Sequence, residues 1–231
     1  MKSKKTSKTL YIIHGWAYSV EPWQKTLKLL KEKGIKYKML HVPGLTEPSE
    51  KIWTIEEYVE WANKNIPEGS IALGHSNGGR ILLNLCSKTP EKLSHLILLD
   101  SAGVYEKSKK RDILRVISKL GAPLKKLPFL AKAYHKLIGA SDYAHAPENM
   151  KKTLSNMLDS DKSLSLEKVT TPCSILWGEK DTVTPPRQAK ILHEKLKNST
   201  LKFIPDWTHA PYISSPASLA DAIESALKEK I

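Results

Sequence analysis

The sequence has few cysteines, no long apolar run and too few acidic residues to balance its lysines. Its two cysteines, Cys86 and Cys173, lie far apart and lack the spacing of a metal site, so two reduced, packed thiols are expected. Counting alone leaves a single disulfide open. No apolar stretch approaches the roughly 18 residues that cross a bilayer, and no repeat or low-complexity linker is present. These absences argue against a metal-stabilised domain, an integral membrane protein and a repeat array.

The N-terminal segment, residues 1–8, is rich in lysine, as the start of an export signal would be. The apolar stretch that follows it ends at His14-Gly15, whereas the core of such a signal needs about 7 or more apolar residues. We therefore expect no export signal and a cytoplasmic protein.

The composition is that of a folded protein with a strongly basic surface. Of the 231 residues, 40% are hydrophobic and 26% are charged, and the formal net charge is +13. This length fits one domain with an insertion or two small domains. The charge would attract nucleic acid, an anionic membrane or an acidic carrier protein. Because lysine supplies most of it, without interleaved arginine and aromatic residues, a solvated surface is favoured and no nucleic-acid partner is predicted.

Short apolar runs alternate with amphipathic stretches, which is the pattern of βα units around a parallel sheet. Thr54 and Glu57 predict a capping box at the start of one helix, and Pro22 and Pro185-Pro186 begin two others. The predicted strands are residues 9–13, 37–42, 70–73, 96–99, 173–177 and 201–204. Further helices are predicted over residues 79–87 and 219–227.

The strand pattern is interrupted once. From residue 104 to residue 168 there are no buried-strand runs, only helical segments punctuated by glycine and proline. We therefore predict a core in two parts, residues 1–103 and 169–231, with a helical insertion at residues 104–168.

The segment Gly74-His75-Ser76-Asn77-Gly78 matches Gly-x-Ser-x-Gly between a predicted strand and a predicted helix. Such a sharp turn lifts a serine hydroxyl above the sheet at a helix N-terminus, and the glycines allow close contact between helix and strand. Ser76 is therefore the candidate nucleophile. The alternative is a glycine-rich turn without chemistry.

A carboxylate and an imidazole follow later strands. Asp181 lies in the loop after residues 173–177, and it would fix the tautomer of a catalytic histidine. Glu179 and Asp100 are the competing acids, and Asp100 also fits a turn cap. His209 follows the last strand, and a free imidazole, with a pKa near 6.5, can accept a serine proton at neutral pH.

Two backbone amides are candidates for an oxyanion hole, a pair of donors aimed at the negative oxygen of a tetrahedral intermediate. They are the N–H groups of Trp16, after the first strand, and of Asn77, after Ser76. His14 lies at the same strand end, and we expect it to order the loop rather than to act as a base.

The order serine, acid, histidine, with each residue at a separate strand end, resembles the α/β-hydrolase superfamily over essentially the whole chain. The segment His14-Gly15-Trp16 with the following Pro22-Trp23 is similar to its small carboxylesterases, such as the methyl esterases acting on pimeloyl-carrier protein. The resemblance implies a Ser76–His209–Asp181 triad, an acyl-enzyme, no metal and no cofactor, with residues 104–168 as a helical cap. Because the chain begins at what would be the family's third strand, a shorter sheet is expected. Residues 45–49 depart from the family's usual Gly-x-Ser continuation after Pro43-Gly44.

These features predict a carboxylic ester hydrolase acting on a small-molecule ester. Lactones, amides or C–C bonds are alternative substrates of the same triad, with lactones the nearest, and a catalytically silent binding module is the non-enzyme alternative. Residues 107–136 hold ten Lys/Arg and one acid, Asp112. This basic stretch could dock an acidic carrier protein or an anionic membrane, or its lysines could face water while its apolar side covers the site.

Overall fold

The structure, a computed structural model, describes residues 9–106 and 146–229. Within these residues, the strands are β1 (Leu10–Ile13), β2 (Tyr37–Leu40), β3 (Ser70–His75), β4 (Leu93–Leu99), β5 (Cys173–Gly178) and β6 (Ser199–Ile204). These six strands form one parallel sheet in the order β2-β1-β3-β4-β5-β6. The predicted α/β class and the number of strands are confirmed.

Helices cover both faces of the sheet, which explains the continuous apolar runs of its central strands. On β4, for example, Leu96 and Leu98 belong to one buried cluster, while Ile97 and Leu99 belong to the other. The helices are α1 (Gln24–Glu32), α2 (Ile55–Asn65), α3 (Asn77–Lys88), α4 (Glu148–Ser160), α5 (Pro186–Lys195), α6 (Pro211–Ser214) and α7 (Pro216–Lys228). Helices α1 and α7 pack on one face of the sheet, whereas α2, α3 and α5 pack on the other.

Local signals set most element boundaries. Thr54 and Glu57 form the predicted capping box at the start of α2. Strand β4 begins at Leu93, three residues before the predicted start. The prediction started too late because two polar residues, the exposed Ser94 and His95, interrupt the apolar pattern. His95 is nevertheless buried, against Ser174. The short helix α6 was not predicted. Cys86 and Cys173 are buried free thiols, as expected.

The segment between β4 and β5 is anchored on the core by α4. The Thr153 hydroxyl accepts the Trp53 amide N–H at 2.9 Å, and the Asn156 side chain donates to the Trp53 carbonyl at 3.0 Å. Residues 107–145 of the predicted cap, including the basic stretch, lie outside the described residues, so the cap remains a prediction. Nowhere in residues 9–106 and 146–229 is a helix both long and apolar enough to cross a bilayer.

Candidate active site

Three distant stretches of chain bring the predicted serine, histidine and aspartate into one hydrogen-bonded chain. His209 Nε2 lies 3.0 Å from Ser76 Oγ, and His209 Nδ1 lies 2.8 Å from Asp181 Oδ2. Ser76 follows β3, Asp181 follows β5 and His209 follows β6, so the three meet at the carboxyl edge of the parallel sheet. The Asp181 side chain is fully buried and the His209 side chain is 21% exposed. This arrangement can move a proton from the serine hydroxyl to the imidazole.

Ser76 sits on a strained turn. Its φ of 50° and ψ of −116° are rare for a residue with a side chain, and such strain persists only where the surroundings enforce it. Here the Ser76 amide donates to the Leu99 carbonyl at 3.1 Å, and the Ser76 carbonyl accepts the Ala102 amide at 3.0 Å. These bonds tie the turn to the end of β4.

The glycines beside Ser76 allow strand and helix to meet closely. A Cβ on Gly74 would lie 2.6 Å from the Cα of Gly79, and a Cβ on Gly78 would collide with the carbonyl oxygen of Ile13. Any larger residue at either position would therefore displace α3 from β3 or from β1. The sequence-based interpretation of these glycines as close-approach positions fits this geometry.

Asp181 is held as an ionised acceptor. Burial raises the pKa of Asp181, but the hydrogen bond to His209, followed by those from Thr184 and the Val183 amide, outweighs burial and lowers that pKa below its usual value. The Thr184 hydroxyl lies 2.6 Å from Asp181 Oδ2 and 3.2 Å from His209 Nδ1. Thr184 thus contacts both partners of the acid–imidazole bond. Nothing in the sequence pattern around Asp181 indicated this place for Thr184.

Of the three candidate acids, Asp181 is the one bonded to His209. Glu179 is exposed. Asp100 is fully buried, with φ 43°, and its Oδ1 accepts the Gly178 amide N–H at 2.8 Å. Burial raises the pKa of Asp100 well above its usual value, and the neighbouring charge of Asp181 raises it further. Burial and the charge of Asp181 both favour the protonated form of Asp100, whereas the contacts of Asp181 favour its ionised form.

The chain segments that carry the two candidate oxyanion donors pass close to Ser76. Asn77 is the first residue of α3, so its amide N–H has no acceptor within the helix. A Cβ built on Gly15 would lie 3.0 Å from the Cβ of Ser76, which shows how closely the chain leading to Trp16 passes the serine. The segments that carry the two candidate donors thus lie beside Ser76, and the role of the Trp16 and Asn77 amides as an oxyanion hole stays a prediction.

His14 orders the loop after β1, as the sequence predicts. Its Nδ1 donates to the Gly15 carbonyl at 2.8 Å, and its Nε2 lies 2.8 Å from Thr46 Oγ1, which accepts the Val42 amide N–H. Burial lowers the pKa of His14 to about 4 against the opposing effect of the Gly15 carbonyl. The unusual 45–49 loop therefore contacts the predicted oxyanion loop through Thr46.

His75, inside the serine motif, has a positioning contact that sequence reasoning missed. Its Nε2 donates to the His209 carbonyl at 2.7 Å, and its ring packs edge-on against Trp23 and Tyr212. Burial, together with the neighbouring His209, lowers the pKa of His75 to about 3. A neutral His75 therefore holds the backbone that carries the His209 imidazole.

The lowered pKa values of His14 and His75 predict that the fold loses stability in mild acid. A histidine that is neutral in the fold and titrates near its reference pKa of 6.5 when unfolded gives stability that is present above pH 6.5 and is lost as the pH falls toward its folded pKa. At pH 5 the loss is about 2 kcal/mol for each of His14 and His75. The free energy of unfolding, obtained from urea titrations between pH 7.5 and pH 5, measures this loss.

The variants His14→Gln and His75→Gln should each remove about half of this pH dependence, and His193→Gln, at an exposed site, controls for removing an imidazole as such. A free energy of unfolding that stays constant from pH 7.5 to pH 5 would contradict the prediction.

Comparison with known proteins places the chain in a family. Residues 8–216 match the profile described as alpha/beta hydrolase fold. The chain therefore belongs to the α/β-hydrolase family, and the predicted resemblance is confirmed.

Several curated relatives are named esterases. A pimeloyl-acyl-carrier-protein methyl ester esterase of Neisseria meningitidis serogroup A is 25% identical over 96% of this chain and 78% of its own length. The esterase of the same name from Aromatoleum aromaticum is 22% identical over 95% of this chain and 98% of its own length. With the family match, these relatives confirm the predicted enzyme class, a carboxylic ester hydrolase.

Solved structures share the fold. An alpha/beta hydrolase enzyme from the metagenome of lagoon sediments at Mar Chica, Morocco, has a TM-score of 0.68 and 23% identity, covering 97% of this chain and 92% of its own. A lipase-esterase related protein from Clostridium acetobutylicum has a TM-score of 0.73 and 18% identity, covering 96% and 95% respectively.

Proposed function

We propose that this chain hydrolyses carboxylic esters through an acyl-enzyme on Ser76, with His209 as general base and Asp181 as the acid that orients it. The observation that carries the proposal is the continuous hydrogen-bonded path from Asp181 Oδ2 through both ring nitrogens of His209 to Ser76 Oγ, with steps of 2.8 and 3.0 Å. Nucleophile, base and orienting acid in this order are what acyl transfer by a serine requires.

In the proposed reaction, Ser76 Oγ attacks the ester carbonyl as His209 Nε2 takes the hydroxyl proton. The carbonyl oxygen becomes negative and accepts the amide N–H groups of Trp16 and Asn77. His209 then gives the proton to the leaving alkoxide, and the C–O bond to it breaks, leaving the acyl group on Ser76. Water, deprotonated by the same imidazole, then attacks this acyl group. The bond from the acyl carbon to Ser76 Oγ breaks, His209 returns the proton to Oγ, and the carboxylic acid leaves.

The bonds around His209 suit this cycle. Asp181 accepts from Nδ1, so the lone pair on Nε2 faces Ser76, and the buried carboxylate stabilises the imidazolium that forms. His75 and Thr184 hold the His209 backbone and ring. The path is assembled before substrate arrives, and such preorganisation lowers the barrier because no reorganisation is needed during the reaction.

The substrate proposed is an ester of a carboxylic acid with a small alcohol, which is the chemistry in the names of the curated relatives. Their names also include an acyl-carrier protein, and the formal net charge of +13 would attract an acidic carrier. The basic stretch at 107–136 that would contact it lies outside the described residues, so docking of a carrier or a membrane stays a prediction.

Labelling with a fluorophosphonate tests the proposal, because this electrophile reacts with an activated serine hydroxyl and not with an ordinary one. We expect one probe molecule per chain, located by mass spectrometry on Ser76, and a loss of p-nitrophenyl ester hydrolysis in proportion to labelling. Protein unfolded in urea should not react. Turnover that continues at full rate in the fully labelled protein would contradict the assignment, and a chain that neither reacts nor hydrolyses esters would be a binding module.

A further inference from the structure

A buried guanidinium joins the turn around Ser76 to the far end of the β4–β5 segment. Arg80, on the first turn of α3, donates from Nε and Nη2 to the two carboxylate oxygens of Asp161 at 2.7 and 3.0 Å. Its third nitrogen, Nη1, donates to Asn77 Oδ1 at 2.5 Å. The side chains of Arg80 and Asp161 are only 5% and 1% exposed.

Such a pair exists in the interior only when the geometry satisfies both charges. The two-pronged bond from guanidinium to carboxylate does so, and the Asn77 amide oxygen takes a remaining donor. Because the guanidinium is planar and rigid, Asp161 on one side fixes where Arg80 can hold Asn77 on the other. The Asn84 side chain, which donates to the Arg80 carbonyl at 2.9 Å, ties the same turn of helix.

Asn77 is the residue whose amide N–H is the proposed oxyanion donor. We propose that Arg80 is a positioning residue for this donor, and that its bond to Asp161 makes the donor's placement depend on how the end of α4 docks on the core. The inference rests on the proposed function, because it assigns Arg80 to the oxyanion hole of that same site. Arg80 contacts neither His209 nor Asp181 within the bonds of the described residues, so its effect passes through Asn77.

A second ion pair offers a matched control. Arg187 donates from Nε and Nη2 to the carboxylate oxygens of Glu106 at 2.6 and 2.9 Å, and Gln188 donates to the same carboxylate at 2.9 Å. This cluster ties the other end of the segment to α5. It is also a two-pronged arginine–carboxylate pair, but none of these three bonds involves a residue of the turn around Ser76.

The test compares Asp161→Asn with Glu106→Gln, each of which removes one charge without changing side-chain shape. We expect Asp161→Asn to lower kcat for a p-nitrophenyl ester by about 10- to 100-fold with KM within about twofold, because an oxyanion donor acts in the transition state and losing one outright costs about 10²–10³ in rate. Affinity for a trifluoromethyl ketone, which forms a tetrahedral adduct, should weaken by the same factor. Glu106→Gln should leave kcat within about twofold of the wild type.

The variant Asn77→Ala keeps the backbone N–H and removes only the oxygen that Arg80 holds. It should reproduce the loss in kcat, and the Asp161→Asn/Asn77→Ala double variant should be no slower than the slower single variant, since both act through one contact. If Asp161→Asn fails to fold, judged by near-ultraviolet circular dichroism, Asn77→Ala carries the test alone.

The proposal would be overturned if folded Asp161→Asn or Asn77→Ala enzyme kept the wild-type kcat and the wild-type affinity for the ketone. The ion pair would then only hold α4 on the core. Additive losses in the double variant would also overturn the proposal, because they would mean two separate routes. Failure of the proposed function itself looks different, since the wild-type chain would then neither turn over the ester nor bind the ketone at Ser76.

Discussion

Replacing Ser76 with alanine is expected to lower kcat for ester hydrolysis by about 10⁴–10⁶, by analogy with the removal of other triad nucleophiles. The loss follows from the mechanism, because without Oγ no acyl-enzyme forms and His209 has no hydroxyl to activate. The fold should persist, since the bonds that hold the turn come from the backbone of Ser76. Single-turnover and steady-state kinetics on p-nitrophenyl esters of graded chain length measure the effect.

Ser101 provides the matched control for this substitution. It is fully buried near the same turn, and its hydroxyl donates to the neighbouring Ala102 carbonyl at 2.7 Å. Ser101→Ala removes a buried hydroxyl close to the site but none of the proposed catalytic atoms, so its kcat should stay within several-fold of the wild type. If Ser76→Ala keeps wild-type turnover, or if both variants lose activity equally, the chemistry does not take place on Ser76.

Much of the fold could be predicted because its signals are local. The apolar runs of the central strands, the Thr54–Glu57 capping box and the prolines at helix starts are each readable from neighbouring residues. The predicted element boundaries are wrong where the burial of a residue depends on a partner far along the chain. His95 at the start of β4 looks polar in sequence, yet it is buried because Ser174 on β5 bonds to it.

The three residues of the hydrogen-bonded path were also predictable, because parallel strands place their carboxyl ends at one edge and Ser76, Asp181 and His209 each follow such an end. The supporting contacts were not. His75 reaches the backbone of His209, and Arg80 reaches Asp161 across 81 residues of chain. These partners are set by how helices and loops dock, and no spacing in the sequence records that. Asp100 and Asp181 illustrate the same limit. Both are aspartates at strand ends, and only their surroundings in the fold distinguish the acid that bonds to His209 from the one that does not.

The different surroundings of Asp100 and Asp181 lead to the last prediction, which compares two isosteric variants. Asp181→Asn should lower kcat by about 10⁴, because an amide at this position offers an N–H to His209 Nδ1 and favours the wrong imidazole tautomer. Asp100→Asn should keep kcat within several-fold, because Asn can still accept the Gly178 amide N–H and because the surroundings of Asp100 raise its pKa and so favour a neutral carboxyl there. Both variants replace one buried aspartate, and the two aspartates are neighbours.

The pH dependence of kcat/KM makes the comparison decisive. A negative charge near an imidazole stabilises its protonated form, so removing an ionised carboxylate would move the acidic limb of the profile to lower pH. Because burial and the charge of Asp181 raise the pKa of Asp100 and favour its neutral form, Asp100→Asn should leave the acidic limb where it is in the wild type. A shift to lower pH would show that Asp100 is ionised in the active enzyme. An Asp100→Asn loss as large as that of Asp181→Asn would move the orienting role from Asp181 to Asp100, and with it the path by which the serine is activated.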